Sequence, residues 1–180
     1  MNAFTSQSLR HELIEAAGSD PRELRNLLGQ FATGVTVITT RTADGRNVGM
    51  TANSFSSVSL EPPLVLWSIS RTAPSLFDYQ ACEHFAINVL GADQHDISGR
   101  FARPAPDKFA GVAFTHADCG VPLLDGVIAT LLCRNVTQYE GGDHLIFLGQ
   151  IEQFRHGAGE PLVFHGGQYR IAAEHPGVNR

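Results

Sequence analysis

Residues 49–69 read GMTANSFSSVSLEPPLVLWSI, and this stretch carries most of the information about the fold. Its first half, residues 49–59, is typical of a strand. A core strand would alternate aliphatic and polar residues, but here hydroxyl, amide and small side chains take most of the positions. Glu61-Pro62-Pro63 predicts a turn, because proline lacks the N–H that a strand ladder needs. Residues 64–69 then resume as an apolar strand, so the stretch predicts a polar strand, a turn and a buried strand.

The polar half of this stretch has two interpretations, and the sequence leaves both open. Short hydrogen-bonding side chains follow one another almost without a gap, which suits a flat polar ligand lying close to the backbone. Alternatively, the same side chains belong to an edge strand rich in serine and threonine, and satisfy nearby backbone groups. The residues concerned are Thr51, Asn53, Ser54, Ser56 and Ser57.

The length and composition predict one soluble domain. The chain has 180 residues, long enough for a substantial core, of which 43% are hydrophobic and 17% are charged. We expect a single domain over residues 1–180, with a core at about residues 24–171 and an N-terminal helix at residues 8–17 as an extension. A surface short of charge indicates that a second subunit covers part of it.

Charge and cysteine usage argue against several classes of partner and site. The formal net charge is −5 and no run of Lys or Arg occurs, so neither nucleic acid nor an anionic membrane is an expected partner. Cysteines without a CxxC pair argue against a disulfide framework and zinc, and favour a reducing compartment. We expect Cys82, Cys119 and Cys133 to be buried small hydrophobic residues. The sequence shows no metal-binding spacing, no secretory signal and no apolar run of membrane length, which predicts a cytoplasmic protein.

Periodicity and turn signals predict mostly strands. Asp20 and Pro21 are typical of a helix start, and the helix is expected to end near Thr33-Gly34. Asp44-Gly45 predicts a hairpin between a strand over residues 35–40 and the polar strand. We also expect helices opening at Pro74 and Asp93, strands at residues 85–90, 127–139 and 144–155, and a last strand covering 162–164 and 168–171. Roughly seven strands with three or four short helices favour an antiparallel barrel or sandwich, and the GxGxxG fingerprint of a Rossmann fold is absent.

An ordered set of short motifs runs through nearly the whole chain, from about residue 24 to residue 170. Besides residues 49–69, the set consists of FATGVTVITT at 31–40, HFAINVL at 84–90, Phe101 with DKF at 107–109, PLLDG at 122–126, GDHLIF at 142–147, and PLVF at 161–164 with Tyr169-Arg170. Together the motifs resemble the flavin reductase domain found in the small components of two-component flavin-dependent monooxygenases. The resemblance implies a mainly β (α+β) fold: a Greek-key antiparallel split β-barrel with a few short flanking helices, which forms a homodimer and holds its flavin near the subunit interface.

The resemblance further implies an NAD(P)H:flavin oxidoreductase. Such an enzyme transfers a hydride from NADH or NADPH to FMN or FAD, and supplies the reduced flavin to a partner monooxygenase. Because the cofactors carry the reactive atoms, the protein supplies mainly geometry and electrostatic tuning, which agrees with the lack of a conspicuous nucleophile or carboxylate pair. Two alternatives stand beside it: a non-catalytic split-barrel protein that binds flavin or haem, and an oxidase resembling the pyridoxamine-phosphate oxidases, which would need a more basic phosphate pocket.

The same resemblance implies a set of flavin contacts, in which small residues let the ring lie against the backbone and hydroxyl and amide groups bind it. These contacts are Thr51, Ala52, Asn53, Ser54, Ser56 and Ser57. Ser68, Ser70 and Arg71 are placed near the ribityl chain or the phosphate. Lys108 is the second candidate cation for that phosphate, and for both cations the alternative is a solvated surface charge. Phe101 either caps a ring or the dinucleotide, or packs in the core.

His144 is implied to be the catalytic residue on the nicotinamide side, where it helps to hold the reduced dinucleotide. It follows a Gly-Gly-Asp turn and should emerge at a barrel rim, where its imidazole can donate to a carboxamide or a pyrophosphate. The alternative is a histidine at the end of a turn that bonds Asp143. Gly34 is also placed near the nicotinamide, and Tyr169 is placed over the site from the partner subunit. Trp67 stands where the family more often has an aliphatic residue, and we expect it to fill the core.

Overall fold

The computed structural model describes residues 15–177. Most of the helix expected at residues 8–17 lies outside this range, and its described end, residues 15–17, is not helical. The described elements are, in chain order, α1 (Pro21–Leu28), β1 (Thr33–Gly34), β2 (Thr36–Arg41), β3 (Asn47–Ala52), β4 (Ser56–Leu60), β5 (Pro63–Ser70), α2 (Leu76–Ala81), β6 (His84–Val89), α3 (His95–Ala102), β7 (Phe114–His116), β8 (Pro122–Leu124), β9 (Ala129–Gly141), β10 (His144–His156), β11 (Leu162–His165) and β12 (Gln168–Ile171).

Seven strands form the main sheet, in the order β3-β2-β6-β9-β10-β5-β4. Three more form a second sheet in the order β1-β11-β12, and β7 pairs with β8. Every pairing of these described strands is antiparallel. The fold is therefore mainly antiparallel β with a few short helices, which confirms the expected fold class. Within residues 15–177, no helix has the length and apolar character needed to cross a membrane.

Local signals in the sequence correctly located two hairpins and a helix start. The β2–β3 and β9–β10 turns each contain a glycine with positive φ, Gly45 at +87° and Gly142 at +71°, a conformation that other residues rarely adopt. At the start of α1, the Asp20 carboxylate accepts a hydrogen bond from the Arg22 N–H at 2.9 Å. This is the N-cap that the sequence predicts.

The polar stretch at residues 49–59 is not one strand, and that prediction is wrong. β3 ends at Ala52, β4 begins at Ser56, and the two strands lie at opposite edges of the main sheet. The physical reason is side-chain hydrogen bonding that competes with the strand ladder. The Ser54 hydroxyl accepts from the Ser68 N–H and donates to the Ser68 carbonyl, both at 3.0 Å. The stretch therefore turns a corner that fastens the end of β3 to β5.

Two other elements differ from the prediction. α1 ends at Leu28 rather than near Thr33-Gly34, because the hydrogen bonding changes after Gly29: the Gln30 and Phe31 N–H groups donate three residues back, to the carbonyls of Leu27 and Leu28. The expected last strand is two strands, β11 and β12, which pair around Gly166-Gly167. The apolar stripe that runs along α1 and the turn after it is exposed; it comprises Leu24, Leu27, Leu28 and Phe31.

The core of the main sheet is built around Trp67, which confirms the expected role of that residue. Its indole is fully buried, stacks on Phe147 with ring centroids 4.6 Å apart, and meets Tyr79 edge-on at 5.0 Å. Aromatic contacts of this kind stabilise a core beyond their area burial. A second core cluster includes Phe101 of α3 and Leu162 of β11, and so joins the helix to the smaller sheet.

The three cysteines have different surroundings. Cys133 is buried, and burial raises the pKa of its thiol to about 12. Cys82 is partly buried, and burial raises the pKa of its thiol as well. Cys119 is exposed in the turn before Gly120, whose φ is +83°, so the expected burial is wrong for this residue. Within the described range, no three side chains of His, Cys, Asp or Glu lie together as possible metal ligands.

Candidate functional site

The corner of the polar stretch contains side chains that satisfy backbone groups as well as side chains that are available to a ligand, the two interpretations that the sequence left open. Ser54 serves the backbone, since its hydroxyl is taken up by Ser68. Asn53 is exposed, and its side chain makes no hydrogen bond within residues 15–177. On β4, Ser56 and Ser57 are both exposed, and the Ser56 hydroxyl donates to the Ser57 carbonyl at 3.2 Å. Polar groups at Asn53 and along β4 are therefore available to a ligand, whereas the Ser54 hydroxyl is not.

Strand register brings His144 close to this corner. β10 pairs with β5 so that His144 lies opposite Ser70, and Ser68 is two residues further along β5, about 7 Å away. Side chains directly opposite each other, and those two residues apart, share one face of a sheet. His144, Ser68 and Ser70 therefore share the face opposite to the one on which Trp67 enters the core. Because the Ser54 hydroxyl binds the backbone N–H and carbonyl of Ser68, the corner lies against the edge of β5 at the position of Ser68.

The imidazole of His144 is oriented by the preceding residue. Its Nδ1 lies 2.7 Å from Asp143 Oδ1, and the hydrogen bond with the His144 ring lowers the pKa of the Asp143 carboxyl. The side chain of His144 is 44% exposed, and no group within the described residues bonds its Nε2. The bond to Asp143 that the alternative interpretation expects is present, and it leaves the second ring nitrogen for a ligand.

Arg71 holds the turn that carries His144. Its Nε donates to the Gly142 carbonyl at 2.9 Å, its guanidinium pairs with Glu140, and its backbone N–H donates to the Asp143 carbonyl at 2.9 Å. These contacts fasten the end of β5 to the β9–β10 turn. A phosphate at this position would have to compete with Glu140 for the guanidinium.

A second group of hydroxyls lies on the other side of the corner. The Thr51 hydroxyl donates to the Ser98 carbonyl at 2.7 Å, and the Ser98 hydroxyl lies 2.8 Å from the Tyr169 hydroxyl. Tyr169 is thereby held beside Thr51 of its own chain, whereas the resemblance places it over the site of a partner subunit. Ser98 is a functional candidate that sequence reasoning missed, because a lone serine inside a helix gives no signal.

Gly34 lies on the same small sheet as Tyr169, since β1 and β12 both pair with β11. Gly34 is exposed, and a Cβ added to it would meet nothing within 4 Å. Its neighbour Thr33 has a buried hydroxyl with no hydrogen-bond partner in the described structure. Trp67 Nε1 and Asn135 Oδ1 are buried without a partner in the same way, so the Thr33 hydroxyl does not by itself mark a ligand site.

A cavity of about 660 Å³ opens beside Gly49 and Met50, the first residues of the polar stretch. Lys108 lines it, and its Nζ donates to the Gly49 carbonyl at 3.2 Å and to the Phe101 carbonyl at 2.8 Å. Burial lowers the pKa of Lys108. Phe101 is fully buried and packs edge-on against Phe109 with ring centroids 5.0 Å apart. This position favours the core interpretation of Phe101 over a role as a ring cap.

The structure thus divides the predicted site residues into adjoining groups rather than one cluster. The corner surface, as we call the first group, comprises Asn53, Ser54, Ser68, Ser70, Arg71 and His144. The second group comprises Thr51 and Tyr169, which are linked through Ser98, and Gly34, which lies on the same small sheet as Tyr169. Ala52 is buried between this group and the corner. Lys108 and Phe101 border the cavity, and Ser56 and Ser57 lie on the edge strand β4. Thr51 and Asn53 are only two residues apart, about 7 Å along a strand, so the groups meet at the corner.

The fold and these surfaces define a small antiparallel domain of the split-barrel type, with exposed polar groups at the junction of two strands. The chain belongs to the flavin reductase like domain family, whose sequence model matches residues 28–173. This membership confirms the family that the ordered motifs resemble.

Relatives and solved structures agree with this assignment. The chain is 43% identical over 153 residues to the reductase component of a flavin-dependent trigonelline monooxygenase from Acinetobacter baylyi. The aligned region is 85% of this chain and 49% of that protein. It is 43% identical over 152 residues to the FMN reductase (NADH) SmoA from Agrobacterium fabrum, with coverages of 84% and 86%. The structure of the NADH:FAD oxidoreductase SgcE6 from Streptomyces globisporus C-1027 is similar with a TM-score of 0.84 and 39% identity, covering 94% of this chain and 96% of that one. The chain therefore spans about half the length of the trigonelline relative.

Proposed function

We propose that this chain is an NADH:flavin oxidoreductase, which transfers a hydride from NADH to FMN or FAD and supplies the reduced flavin to a partner monooxygenase. One observation carries the proposal: the β5–β10 register sets His144 on the same face as Ser68 and Ser70, beside the corner that exposes Asn53. Groups suited to a pyridine nucleotide and to a flavin therefore lie on one surface. Relatives named as an FMN reductase (NADH) and as a monooxygenase reductase component support both halves of the proposal.

The residues at the corner fit a flavin. The exposed Asn53 amide offers both donors and an acceptor, as the edges of a polar ring system require. Gly34 is exposed and has open space beside its backbone. A flat ring that lies against this backbone agrees with a flavin or with the nicotinamide of its electron donor.

The protein's own residues have the work of binding and orienting. A bound flavin supplies the ring that accepts the electrons, and a reduced pyridine nucleotide supplies the hydride. The His144 ring presents Nε2 to the nucleotide, while Asp143 holds its Nδ1. Arg71 keeps the turn beneath His144 in place. Asn53 orients the flavin, and Ser54 keeps the corner closed on β5.

NADH consumption by the purified protein tests the proposal. We expect oxidation that depends on added FMN or FAD, with riboflavin and NADPH as comparison substrates. A protein that binds flavin, as judged by quenching of flavin fluorescence, but oxidises no NADH when flavin is added would be the non-catalytic alternative. That result would overturn the enzymatic proposal.

We also propose that the protein forms a homodimer through the apolar stripe of α1. Leu27 and Leu28 are each 67% exposed and Phe31 is 78% exposed, and a contiguous exposed apolar patch marks an interaction site. The Gly166 N–H donates to the Gly29 carbonyl at 2.8 Å, so the stripe adjoins the turn between β11 and β12. A second copy of the chain is the simplest cover for this surface.

We further propose a single domain over residues 1–180 and a cytoplasmic location. In support of the single domain, the family match covers residues 28–173 without a break in its range. In support of the location, all three thiols are free, which agrees with a reducing compartment. Separating cytoplasmic and secreted fractions of cells that make the protein would test the location.

A further inference from the structure

The outer face of the main sheet, opposite to the face on which Trp67 enters the core, is covered only in part by the chain's own elements. At β2 and β6, one hydrophobic cluster joins Val37 to Phe101 of α3 and Leu124 of β8, and another joins Ala86 to Val121. Among the described residues, neither cluster includes a residue of β5 or β10. Within residues 15–177, the half of this face at β5 and β10 therefore lacks the cover that the other half has.

The uncovered half is nevertheless apolar. Its outward-facing positions at the centre of β5 and β10 are aliphatic and partly exposed, and they alternate with buried residues of the core. Antiparallel strands that face water normally present polar residues on that side, whereas strands that are apolar on both faces are typical of sheets covered on both. We call this surface the open face; it comprises Leu64, Leu66, Ile146 and Leu148. None of the four belongs to a hydrophobic cluster of the described residues.

The open face has the length of one short helix. Leu66 lies directly opposite Leu148, and Leu64 and Ile146 lie two residues further along their strands, on opposite sides of that pair. The four side chains therefore form a diagonal band about 13 Å long. The exposed apolar stripe of α1 and the turn after it is roughly 10 Å long at the rise of a helix. The chain thus carries two exposed apolar surfaces of similar length.

The open face continues directly into the candidate site. Ile146 pairs with Ser68 and is two residues from His144, so all three side chains lie on the same face of the sheet. The side chain of His144 is 44% exposed. A helix that covers Ile146 from outside would therefore border the imidazole.

We propose that the α1 stripe of each copy in the homodimer packs on the open face of the other copy, and that the second copy's helix completes the His144 side of the site. A second copy is the expected cover because the chain itself carries both the stripe and a face of matching length, and because neither surface contains a charged side chain. In a two-fold dimer the same contact occurs twice, so one arrangement covers both surfaces of both copies. The inference rests on the proposed homodimer and states which surface receives the stripe.

Two single variants test the contact from its two sides. Leu148→Glu changes the open face, and Leu28→Lys changes the stripe. Each should raise the dissociation constant of the dimer at least about a hundredfold, because every dimer loses two buried leucine contacts. Light scattering coupled to gel filtration over a range of protein concentrations measures the shift. Thermal unfolding shows whether each variant is folded, and Leu66→Glu, directly opposite on β5, replaces Leu148→Glu if that variant does not fold.

Mixing the two variants tests whether the two surfaces contact each other. A dimer of one Leu28→Lys chain and one Leu148→Glu chain has one wild-type contact, and its other contact places the lysine against the glutamate. The mixture should therefore form a 1:1 dimer although each variant alone is a monomer. Phe77→Glu is the matched control, since Phe77 is 79% exposed but lies on neither surface. It should remain a dimer alone and should form no 1:1 dimer with Leu28→Lys.

The KM for NADH tests whether the second copy's helix is part of the site. In the monomeric variants this KM should rise about threefold or more, since water then reaches the His144 side and weakens its polar contacts, and the 1:1 mixture should recover part of the loss. Masses and dissociation constants need no turnover, so the contact can be judged even if the proposed enzymatic activity fails.

Three results would overturn the inference. A Leu148→Glu variant that dimerises like the wild-type protein would leave the open face outside the interface, with the α1 stripes packing on each other. A monomeric wild-type protein would show that something other than a second copy covers the open face. Monomeric variants with the wild-type KM for NADH would show that the second copy's helix is not part of the site.

Discussion

The bond between His144 and Asp143 determines what the imidazole can offer to a ligand. With Nδ1 engaged by the carboxylate at 2.7 Å, Nε2 is the atom that faces outward. We expect His144→Ala to raise the KM for NADH about tenfold, the effect of losing one good polar contact, with the flavin KM unchanged. Asp143→Asn keeps the shape but loses the charge, and should raise the same KM less, about threefold. Titration of NADH at saturating flavin measures both. An unchanged NADH KM in His144→Ala would remove the role assigned to this residue.

Asn53 and Ser54 are neighbours with different expected roles. Asn53→Ala should raise the flavin KM about fivefold and leave the melting temperature unchanged, since its exposed amide has no protein partner in the described structure. Ser54→Ala should destabilise the fold by about 1–3 kcal/mol, because the N–H and carbonyl of Ser68 lose their partner. Flavin titrations and thermal unfolding separate the two effects. A stable Ser54→Ala variant with a raised flavin KM would show that the hydroxyl binds ligand instead.

The candidate site could be predicted from the sequence only where chemistry follows from local pattern. The hydroxyl-rich stretch and the Gly-Gly-Asp-His turn are local patterns, and both carry exposed polar groups in the structure. The link from Thr51 through Ser98 to Tyr169 joins three elements far apart in the chain. No spacing in the sequence encodes that link, because it depends on how α3 packs against β3. The same holds for the pair of Arg46 and Asp78, which are 32 residues apart.

At the scale of elements, the corner and the β9–β10 turn depend on side chains that bind backbone. Such bonds are invisible to periodicity, which is why residues 49–59 give the pattern of one strand and form two. β2 shows the converse: its threonines are buried, yet each hydroxyl finds a carbonyl. Thr36 donates to Ala52 at 2.7 Å and Thr40 donates to His84 at 2.7 Å. Hydrogen-bonded threonines of this kind let a central strand look polar in sequence.

A prediction separates the two roles considered for Arg71, holding the β9–β10 turn and binding the flavin phosphate. If Arg71 holds the turn, Arg71→Gln and Glu140→Gln should both raise the KM for NADH, by about threefold or less as is usual for exposed ion pairs, because His144 loses its fixed position. If Arg71 instead binds the flavin phosphate, Glu140→Gln would free the guanidinium and lower the flavin KM. Steady-state titrations of both substrates with the two variants decide between these outcomes. We expect the first, since three groups of the turn already bind Arg71.

At the scale of the whole molecule, counting strands and turns indicated an antiparallel barrel or sandwich, and the family resemblance indicated the split barrel. Neither predicted how the strands are distributed between the sheets. The hairpins are local and were predictable from glycine turns at Asp44-Gly45 and Gly141-Gly142. The pairing of β1 with β11 joins Thr33 to Phe164, and only tertiary packing determines such a distant pairing. The stripe on α1 is exposed in the described structure, and the sequence could not show this, because helical periodicity shows that a face is apolar but not what covers it.

That stripe yields the prediction for the assembly. Phe31 next to α1 and Phe77 on α2 are almost equally exposed, at 78% and 79%, so the same substitution at each is a matched pair. Phe31→Glu should convert a dimer into monomers, because burying a phenylalanine on association contributes about 1.5–3 kcal/mol and a glutamate there would have to be desolvated without a partner. Phe77→Glu should leave the dimer intact. Light scattering coupled to gel filtration measures both masses, and thermal unfolding shows that each variant is folded. A dimer that survives Phe31→Glu and dissociates with Phe77→Glu would move the interface to α2, and a monomeric wild-type protein would exclude the homodimer.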